Sequence, residues 1–414
     1  MNFIPQKSNQ NVFIHGCAAT PFKLIDELLK SVPPQTTLIH LHTMGDLPWT
    51  DEKYSNSIKV RNYFVGHGLR KKLDYDRIDH IPCFLSEVPE IFRSKVQPID
   101  IALLNVSLPN KDGLCSLGVT CEVAKAAFDS AKIVIAQVNS QMPFIEGDGL
   151  IPLSEFDHVI EVNEPLPEIP FRAPTPEEKK IGDLIAGLVE NGSTLQVGIG
   201  GLPDAVLHSL ENHKNLGLHT EMWSDAALKL IQAGVIDNSQ KKIHPGKSVS
   251  SFLMGSKKLY EFANQNKNVL QLEVDKTNAL QNISANPKAV AINSAIEIDL
   301  TGQVCSDSVG TRMISGFGGQ VDFVRGASLS PGGKAIIALT SRTAKGKSRI
   351  VPTLTLGAGV VTTRAHVRYV VTEYGIANLY GKSLSERAAA LTAIAHPEDR
   401  EELKSQWKRL WKKN

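Results

Sequence analysis

Short β-rich segments alternate with helical patterns along the whole chain. In the first half, three such segments are TTLIHLHTM (36–44), DIALLNVSLP (100–109) and AKIVIAQVN (131–139). Short apolar runs separated by helices are typical of α/β units whose strands form a mostly parallel sheet. The alternation therefore predicts an α/β fold.

A proline-rich segment divides the chain. Its sequence, EPLPEIPFRAPTPEE, carries prolines at positions 165, 167, 170, 174 and 176. These prolines deny helix and strand hydrogen bonding over about a dozen residues. At roughly 100–200 residues per domain, a chain of 414 residues corresponds to about two domains. We therefore predict a linker here and two domains, residues 1–170 and 171–414.

Charge and composition exclude several classes of protein. Lys and Arg total 45 against 43 Asp and Glu, and 42% of the residues are hydrophobic. The near-neutral balance argues against a nucleic-acid-binding protein, and the apolar content is enough for a globular core. The first residues have no secretory pattern, and no run approaches the ~20 apolar residues of a membrane helix. We expect a cytoplasmic protein that binds neither nucleic acid nor membranes.

Cysteine and histidine spacing predicts neither disulfides nor a metal site. The cysteines are spread along the chain with no C-x-x-C pair: Cys17, Cys83, Cys115, Cys121 and Cys305. Reduced thiols of a cytosolic protein are the simplest interpretation. His40 and His42 alternate as on one strand face, but no carboxylate or cysteine follows at ligand spacing. We predict no bound metal.

Two helices in the second half are predicted from periodicity. EEKKIGDLIAGLVENG (177–192) brings four apolar residues to one face: Ile181, Leu184, Ile185 and Leu188. Gly192 is expected to cap this helix at its C-terminus. The final segment, EDREELKSQWKRLWKKN, is helical with a basic end that suits the helix dipole. We expect Trp407 and Trp411 to pack on the protein, with membrane or nucleic-acid contact as the weaker alternative.

A first glycine cluster follows a predicted strand. STLQVGIGG (193–201) continues into the helical pattern LPDAVLHSL (202–210), so the order is strand, glycine turn and helix. Such a turn brings backbone N–H groups close to a ligand, and the helix N-terminus favours an anion such as phosphate. The cluster lacks the third glycine of a dinucleotide fingerprint and the GK[ST] of a P-loop. A plain tight turn is an equally good interpretation.

Glu221 ends the next predicted strand. LGLHTE (216–221) resembles a short strand, and MWSDAALKLIQAGV (222–235) resembles a helix that Ser224 or Asp225 could cap. Ligands of open α/β sheets bind at the carboxyl ends of strands. Glu221 is therefore a candidate functional residue, and a surface glutamate near a helix start is the alternative.

A second glycine cluster lies near residue 318. The segment ISGFGGQVDFVRGASLSPGGKAIIAL (314–339) is too rich in glycine to be explained by hinges alone. The backbone N–H groups of Gly318 and Gly319 would form an oxyanion hole if the loop faced Glu221. Arg325 and Lys334 could bind anionic groups or could be solvated charges.

Several separated motifs together resemble one known family. In chain order, the second half contains VGIGGLPDAV, LGLHTEMWSD, INSAIEIDLTGQV, SGFGGQVDFVRGA and VVTEYGIANLYGKSLSERA. The first half adds FVGHGLRKKL, DGLCSLGVTCEVAKAAFDSAKIVIAQVNSQMP and EGDGLI. The chain thus resembles, over nearly its whole length, the acetyl-CoA hydrolase/transferase family of class I coenzyme A transferases. It is most similar to the 4-hydroxybutyrate CoA-transferases and butyryl-CoA:acetate CoA-transferases of that family.

The resemblance implies two similar open, mostly parallel-sheet α/β domains of the CoA-transferase/NagB-RpiA type, with the active site in the cleft between them. The N-terminal domain (1–170) would form the acyl or carboxylate pocket, for which Gln141, Met142 and Pro143 are candidates. The C-terminal domain (171–414) would carry the catalytic glutamate and the CoA loops. The family's nucleophile falls on Glu221. Its CoA-binding and oxyanion positions fall on Gly198, Ile199, Gly200, Gly201, Leu202, Asn293, Gly318, Gly319 and Gln320.

The implied reaction is ping-pong transfer of CoA from an acyl-CoA to a short-chain carboxylate. It passes through an acyl-glutamyl anhydride and a glutamyl-CoA thioester, so CoA is a substrate and a covalent intermediate, and no tightly bound cofactor is needed. An acyl-CoA hydrolase that uses the same glutamate is the alternative within enzymes. A binding protein that senses CoA or a nucleotide on the same scaffold is the alternative outside enzymes.

Other features are expected only by analogy. A homo-oligomer is expected. The sequence departs from the family pattern at Gly149 and Ala226, which would bear on acyl specificity. The basic residues that hold the CoA phosphates are not identified by any motif, and the candidates are Lys345, Lys347, Arg349 and Lys382.

Overall fold

The computed structural model describes residues 4–5, 7–170 and 172–411, with every side chain among them except that of Trp411. The α-helices of these residues are α1 (Phe22–Lys30), α2 (Val88–Arg93), α3 (Ala124–Ser130), α4 (Pro176–Ala186), α5 (Gly201–Ser209), α6 (Asp225–Gln232), α7 (Lys257–Ala263), α8 (Val274–Thr277), α9 (Leu280–Ala285), α10 (Gln320–Leu329), α11 (Leu384–Ala393) and α12 (Arg400–Trp411).

The strands of the first 170 residues are β1 (Asn11–Ile14), β2 (Thr36–His40), β3 (Ile58–Asn62), β4 (Ile78–His80), β5 (Ile101–Val106), β6 (Leu114–Ser116), β7 (Ile133–Asn139), β8 (Glu146–Gly147), β9 (Leu150–Pro152) and β10 (His158–Val162). Those that follow are β11 (Thr194–Val197), β12 (Gly217–Leu218), β13 (Met222–Trp223), β14 (Ser248–Ser250), β15 (Phe252–Leu253), β16 (Val269–Gln271), β17 (Ala289–Ser294), β18 (Glu297–Asp299), β19 (Val304–Cys305), β20 (Ser308–Val309), β21 (Arg312–Met313), β22 (Lys334–Ala338), β23 (Ile350–Val351), β24 (Tyr369–Thr372) and β25 (Gly375–Asn378).

A seven-stranded sheet forms the centre of the first compact unit, which consists of Met1–Pro170 and Val249–Thr277. Its strand order is β10-β7-β5-β1-β2-β3-β4, and every neighbouring pair is parallel. Strands β2, β5 and β7 lie within the three segments predicted above, which are therefore confirmed as strands. All six residues of β5 are buried, as expected for a parallel strand covered on both faces.

A six-stranded sheet forms the centre of the second compact unit, Phe171–Ser248 with Asn278–Asn414. Its order is β12-β11-β17-β22-β24-β25. The first five strands are parallel, and only β25 is antiparallel to its neighbour. The predicted α/β fold with mostly parallel sheets is confirmed.

The segment Val249–Thr277 belongs to the first unit, whereas the sequence-based division at residue 170 leaves it in the second domain. Strand β16 pairs in parallel with β8. Gly147 of β8 has φ +138°, and a Cβ there would lie 1.7 Å from the Gln271 carbonyl oxygen, so this pairing requires glycine. Arg93 of α2 forms ion pairs with Glu273 and Asp275. These contacts join residues far apart in sequence, and no local pattern reveals them.

Helix α4 begins where the sequence indicates and ends earlier. Thr175 and Glu178 form a reciprocal capping box, and Pro176 occupies the first helical position, where its missing N–H costs nothing. The helix ends at Ala186, with Gly187 as its C-cap. The predicted cap at Gly192 is therefore wrong. Gly192 has φ +77°, but it shapes a separate turn before β11.

The C-terminal helix is confirmed as α12. Trp407 packs, partly buried, on an apolar cluster of the second unit that includes Leu391 and Leu403. The side chain of Trp411 lies outside the described part of the chain. Among the described helices, none has the length and apolar character needed to cross a membrane.

Candidate active site

The first glycine cluster forms the predicted strand, turn and helix. Strand β11 ends at Val197, and α5 begins at Gly201 with Gly200 as its N-cap. Gly200 has φ +113° and ψ 177°, a backbone conformation open to glycine alone. A Cβ on Gly200 would meet nothing within 4 Å, so the turn faces open space. The N–H groups of the first turn of α5 lack partners within the helix, and they can therefore bind an anionic ligand.

This turn lies at the switch point of the second sheet. Strand β11 has β12 on one side and β17 on the other. The strand that follows β11 in sequence is thus added on one side of it, and the later strands are added on the other side. Ligand crevices of open α/β sheets form outside the carboxyl ends of such strand pairs. Asn293, near the end of β17, donates from Nδ2 to Gln196 Oε1 at 2.9 Å and accepts from Gln196 Nε2 at 3.4 Å. The structure therefore places Asn293 at this edge with its amide bound to Gln196.

Glu221 lies three residues beyond strand β12, in the connection between β12 and β13. The predicted strand at 216–221 is shorter than expected, because pairing with β11 ends at Leu218. The predicted helix starts later than position 222, at Asp225, with Ser224 as N-cap but without a capping hydrogen bond from its side chain. Ser224 Oγ instead donates to Asp204 Oδ1 at 3.3 Å. Glu221 therefore sits on irregular backbone at the carboxyl edge of the sheet.

The Glu221 carboxylate is held by two donors from other parts of the second unit. Asn278 donates from Nδ2 to Glu221 Oε2 at 3.1 Å, and the backbone N–H of Gly319 donates to the same carboxylate. A Cβ on Gly319 would lie 2.2 Å from Glu221 Oε2 and 2.4 Å from Asn278 Nδ2. The second glycine cluster thus faces Glu221, and Gly319 is the position at which a side chain has no room.

Burial raises the pKa of Glu221 to about 7. The hydrogen bond from Asn278 opposes this shift, the negative charge of Asp322 adds to it, and the Gly319 N–H opposes it. The residue as a whole is only half-buried. The result is a carboxyl group that titrates near neutral pH, a common property of catalytic acids, bases and nucleophiles.

Sequence reasoning missed Asn278 and Asp322. Asn278 is 1% exposed, and its Nδ2 also approaches Asp322 Oδ2 at 3.4 Å, so its amide bridges two carboxylates. Asp322 follows Gly319 by three residues in the first turn of α10, and this spacing within the glycine cluster could have indicated it. The segment VDKTNALQ around Asn278 carries no such signal.

Gln320 and Gly318 lie beside this site. The first has a side chain bonded within the protein, and the second shapes the loop. Gln320 is 8% exposed, and its Nε2 donates to Thr362 Oγ1 at 2.9 Å, so the side chain is engaged within the protein. Gly318 has φ +54° and shapes the loop before α10. Backbone groups, rather than the Gln320 side chain, are what this loop offers to a ligand.

The basic candidates fall in several places. Lys334 lies at the amino end of β22 and forms an ion pair with Glu190 at 2.8 Å, so the anionic group that it binds in the structure is a carboxylate of the protein itself. Arg349 donates to the Ala295 carbonyl at 3.2 Å. The remaining candidates are exposed: Arg325, Lys345, Lys347 and Lys382.

Arg172 is a basic residue that sequence reasoning missed. A Cβ on Gly201 would lie 1.7 Å from Arg172 Nη2, so the guanidinium rests directly on the start of α5. It forms an ion pair with Glu178 at 2.6 Å and keeps 56% of its side chain exposed. The sequence feature that could have drawn attention to Arg172 is its position in the proline-rich segment.

The acyl-pocket candidates lie in the first unit. Gln141, Met142 and Pro143 line a cavity of about 260 Å³, together with Tyr260 and other residues of the segment Val249–Thr277. Gly149 packs against Leu117 in the same unit, where a Cβ would lie 3.0 Å from Leu117 Cβ. In the second unit, Ala226 is buried in the first turn of α6.

Comparison with known proteins identifies the family. The model of the acetyl-CoA hydrolase/transferase N-terminal domain matches residues 3–170, and that of the C-terminal domain matches residues 255–407. The chain therefore belongs to the acetyl-CoA hydrolase/transferase family.

Similar proteins agree with this assignment. The chain is 50% identical over 404 residues to a succinyl-CoA:acetate/propanoyl-CoA:succinate CoA transferase of Fasciola hepatica, covering 96% of this chain and 84% of that protein. It is 48% identical over 401 residues to the 4-hydroxybutyrate coenzyme A transferase of Clostridium kluyveri, covering 96% and 93%. The crystal structure of 4-hydroxybutyrate CoA-transferase from Porphyromonas gingivalis superimposes with a TM-score of 0.85 at 40% identity, covering 98% and 94%.

A more distant match is the acetyl-CoA hydrolase of Kluyveromyces lactis. It is 31% identical over 221 residues, which cover 51% of this chain and 40% of that protein. The similarity to the transferases of Fasciola hepatica and Clostridium kluyveri is thus both higher and longer than the similarity to this hydrolase.

Proposed function

We propose that this enzyme is a CoA-transferase that moves CoA from an acyl-CoA to a short-chain carboxylate, with Glu221 as the nucleophile. One observation carries the proposal: the Glu221 carboxylate is fixed by Asn278 and the Gly319 N–H, beside an open glycine turn at the carboxyl edge of the sheet. The names of the similar transferases support the substrate class, which includes 4-hydroxybutyrate, succinyl and propanoyl groups.

In the first step, ionised Glu221 attacks the thioester carbonyl of the acyl-CoA. The C–S bond breaks, CoA leaves as a thiolate, and an acyl-glutamyl anhydride remains. A carboxylate is a poor nucleophile in water, but fixed placement against the carbonyl and partial removal of water activate it. Because its pKa is about 7, Glu221 is more basic than an ordinary glutamate and is still largely ionised above neutral pH.

In the second step, the CoA thiolate attacks the carbonyl carbon of the Glu221 anhydride. The first carboxylate leaves, and a glutamyl-CoA thioester forms. The tetrahedral intermediate of this step carries its negative charge on a Glu221 oxygen, and the Gly319 N–H and the Asn278 amide already bind that carboxylate. Donors placed in this way contribute about 2.7–4 kcal/mol each in comparable sites. An acceptor carboxylate then reverses the two steps.

The glycine turn supplies a site for the phosphates of CoA. Gly198, Ile199, Gly200, Gly201 and Leu202 bring backbone N–H groups to the start of α5, where an anion is favoured. The Arg172 guanidinium, which rests on Gly201, adds positive charge at the same place. We infer that Arg172, which is not among the four candidates taken from the sequence, contributes to binding the phosphates.

The nucleophile is tested by trapping the covalent intermediate. Incubation with acyl-CoA should add the mass of CoA less one water to Glu221, and borohydride should convert this thioester to the alcohol, both detected by mass spectrometry. Glu221→Ala should show neither adduct nor transfer. Glu211→Ala, which changes an exposed glutamate near the end of α5, is the matched control and should behave as the wild type. Full transfer activity in Glu221→Ala would refute the proposal.

Transfer and hydrolysis are separated by the acceptor. A transferase should form acetyl-CoA from another acyl-CoA only when acetate is present. A hydrolase should release free thiol at the same rate with or without acetate. We favour transfer because the similar transferases match over nearly the whole chain, whereas the hydrolase named above matches about half of it.

Two further properties extend the proposal. We propose that the enzyme acts in the cytoplasm as a homo-oligomer, with CoA as substrate and covalent intermediate. Light scattering coupled to size-exclusion chromatography tests the oligomeric state. A panel of acyl-CoA donors against short carboxylates identifies the preferred acyl group.

A further inference from the structure

The Thr220 hydroxyl joins the strand before the glycine turn to the residues around Glu221. Its Oγ1 accepts from the Val197 N–H at 3.3 Å and lies 2.9 Å from the carbonyl oxygens of Val197 and Met222. The single hydroxyl proton serves one of these two carbonyls at a time. Thr220 is 0% exposed, so water does not compete for these bonds.

These side-chain bonds replace the main-chain pairing that has ended. Strands β11 and β12 pair at Thr194 with Gly217 and at Leu195 with Leu218, and the His219 N–H continues to the Leu195 carbonyl at 3.0 Å. At Val197, the Thr220 hydroxyl accepts from the backbone N–H and can donate to the backbone carbonyl oxygen. Buried backbone groups need such partners, so the hydroxyl holds the connection to β11 after the strand has stopped.

The Glu221 carboxylate, in contrast, is held by other elements. Asn278 stands before α9, and Gly319 is the N-cap of α10. The carboxylate therefore keeps two of its contacts if Thr220 is changed. The property that depends on Thr220 is the distance between the glycine turn, which starts at Gly198, and residue 221.

We propose that Thr220 is a positioning residue that couples the binding of CoA at the glycine turn to attack by Glu221. This inference rests on the function proposed above. Binding energy from the distant end of a substrate accelerates a reaction only if it is converted into correct placement of the reacting atoms. Thr220 joins the residue before the turn to the residue after the nucleophile, and so sets that placement.

The test compares a full acyl-CoA with the N-acetylcysteamine thioester of the same acyl group, which lacks the nucleotide and its phosphates. Thr220→Val keeps the shape of the side chain and removes the hydroxyl. Thr220→Ser keeps the hydroxyl. In Thr220→Val, kcat/KM for acyl-CoA should fall at least tenfold more than kcat/KM for the truncated thioester. Thr220→Ser should retain the wild-type ratio within threefold.

Each other outcome has a defined meaning. An equal fall with both thioesters in Thr220→Val overturns the inference, because it indicates a general loss of structure. An unchanged ratio with unchanged rates overturns it as well. If Thr220→Val does not fold, as judged by its thermal unfolding, Thr220→Ala carries the same comparison. Glu221→Ala assayed in parallel keeps the two ideas separate: normal turnover there refutes Glu221 as nucleophile, whereas its inactivity beside a wild-type Thr220→Val refutes only the role of Thr220.

Discussion

The two parallel sheets place very different groups at their switch points. In the first sheet, β1 lies between β5 and β2, and the residue after β1 is His15. Burial lowers the pKa of His15 to about 4. In the second sheet, the corresponding edge carries the glycine turn and Glu221, whose pKa burial raises to about 7. Loss of water is the main cause in both cases, and it favours the neutral form of each group.

The difference lies in how the two groups are satisfied. His15 is 0% exposed, its Nδ1 accepts from the Asn105 N–H at 3.2 Å, and its Nε2 donates to the Thr120 carbonyl at 2.7 Å. Both nitrogens are occupied, and one neutral tautomer is fixed. Glu221 is half-buried and titrates near neutral pH. Burial alone therefore does not mark a group as reactive; Glu221 differs from His15 in combining a half-buried residue with a pKa near neutral, which suits the proposed nucleophile.

The largest expected effect comes from filling the space beside Glu221. Gly319 has φ −94°, which alanine tolerates, but its Cβ would collide with the Glu221 carboxylate. Displacement of Glu221, the proposed nucleophile, by about 1 Å should lower kcat about 100-fold or more with little change in unfolding temperature. Gly187→Ala is the control, since a Cβ there comes no closer than 3.4 Å to its neighbours. Steady-state kinetics and thermal unfolding check both variants, and wild-type kcat in Gly319→Ala would contradict the site.

The His15 site should respond in stability. His15→Ala removes a buried ring and leaves the Asn105 N–H and the Thr120 carbonyl unpaired, so it should destabilise the protein by about 2–4 kcal/mol. Because the folded pKa of His15 is about 4, the wild type loses stability as pH falls from about 6.5 toward 4. That loss should be smaller in His15→Ala. Denaturant unfolding between pH 4 and 8 measures both effects, and an unchanged pH dependence would contradict the buried neutral histidine.

Removal of the Asn278 amide should move the pH profile. This amide lowers the pKa of Glu221, so Asn278→Ala should raise that pKa above its value of about 7. The acid limb of kcat/KM, which reports ionisation of the free enzyme, should shift to higher pH, and kcat should fall about tenfold through loss of one charge-assisted donor. Gln281→Ala, an exposed position on α9, is the control. A shift to lower pH would exclude the assigned hydrogen bond.

The smallest expected effect is the stability gained by neutralising Glu221. Its folded pKa is raised above that of an ordinary glutamate, so the folded wild type binds more protons between about pH 4.5 and 7 and loses stability as pH rises through that range. Glu221→Gln should therefore be more stable than wild type by about 1–2 kcal/mol at pH 8, a figure reduced for partial exposure. The gain should vanish near pH 4.5. Equal stability of Glu221→Gln and wild type at pH 8 would show that the ionised Glu221 carboxylate does not destabilise the folded protein.

Regular elements were predictable because their signals are local. The strands at 36–40, 101–106 and 133–139 are buried apolar runs, and α4 has its capping box in the sequence. The glycine turn was recognisable from the spacing of its glycines. Position alone left Glu221 as one of two interpretations, and only the family motifs indicated it as the nucleophile. Asn278 was not predictable, because its contact with Glu221 joins residues 57 positions apart and no motif marks it.

The placement of Val249–Thr277 was also not predictable, for a similar reason. Its contacts with Arg93 and Gly147 are long-range, and sequence patterns report chiefly neighbours. The early end of α4 was missed for a different reason, because the sequence offers two glycines, Gly187 and Gly192, at which the helix could end. Gly187 ends it, and Gly192 serves the next turn.

The assignment of Val249–Thr277 to the first unit has a consequence for expressing the protein as fragments. The chain passes between its two compact units three times, after residues 170, 248 and 277, so neither unit is a contiguous stretch of sequence. A fragment starting at residue 171 would carry Leu253, Leu259 and Val274, all buried in the intact protein, away from the unit that covers them. A fragment ending at residue 170 would leave Arg93 without Glu273. Two halves expressed from a break at the proline-rich segment should therefore recover the native state only when both are present together.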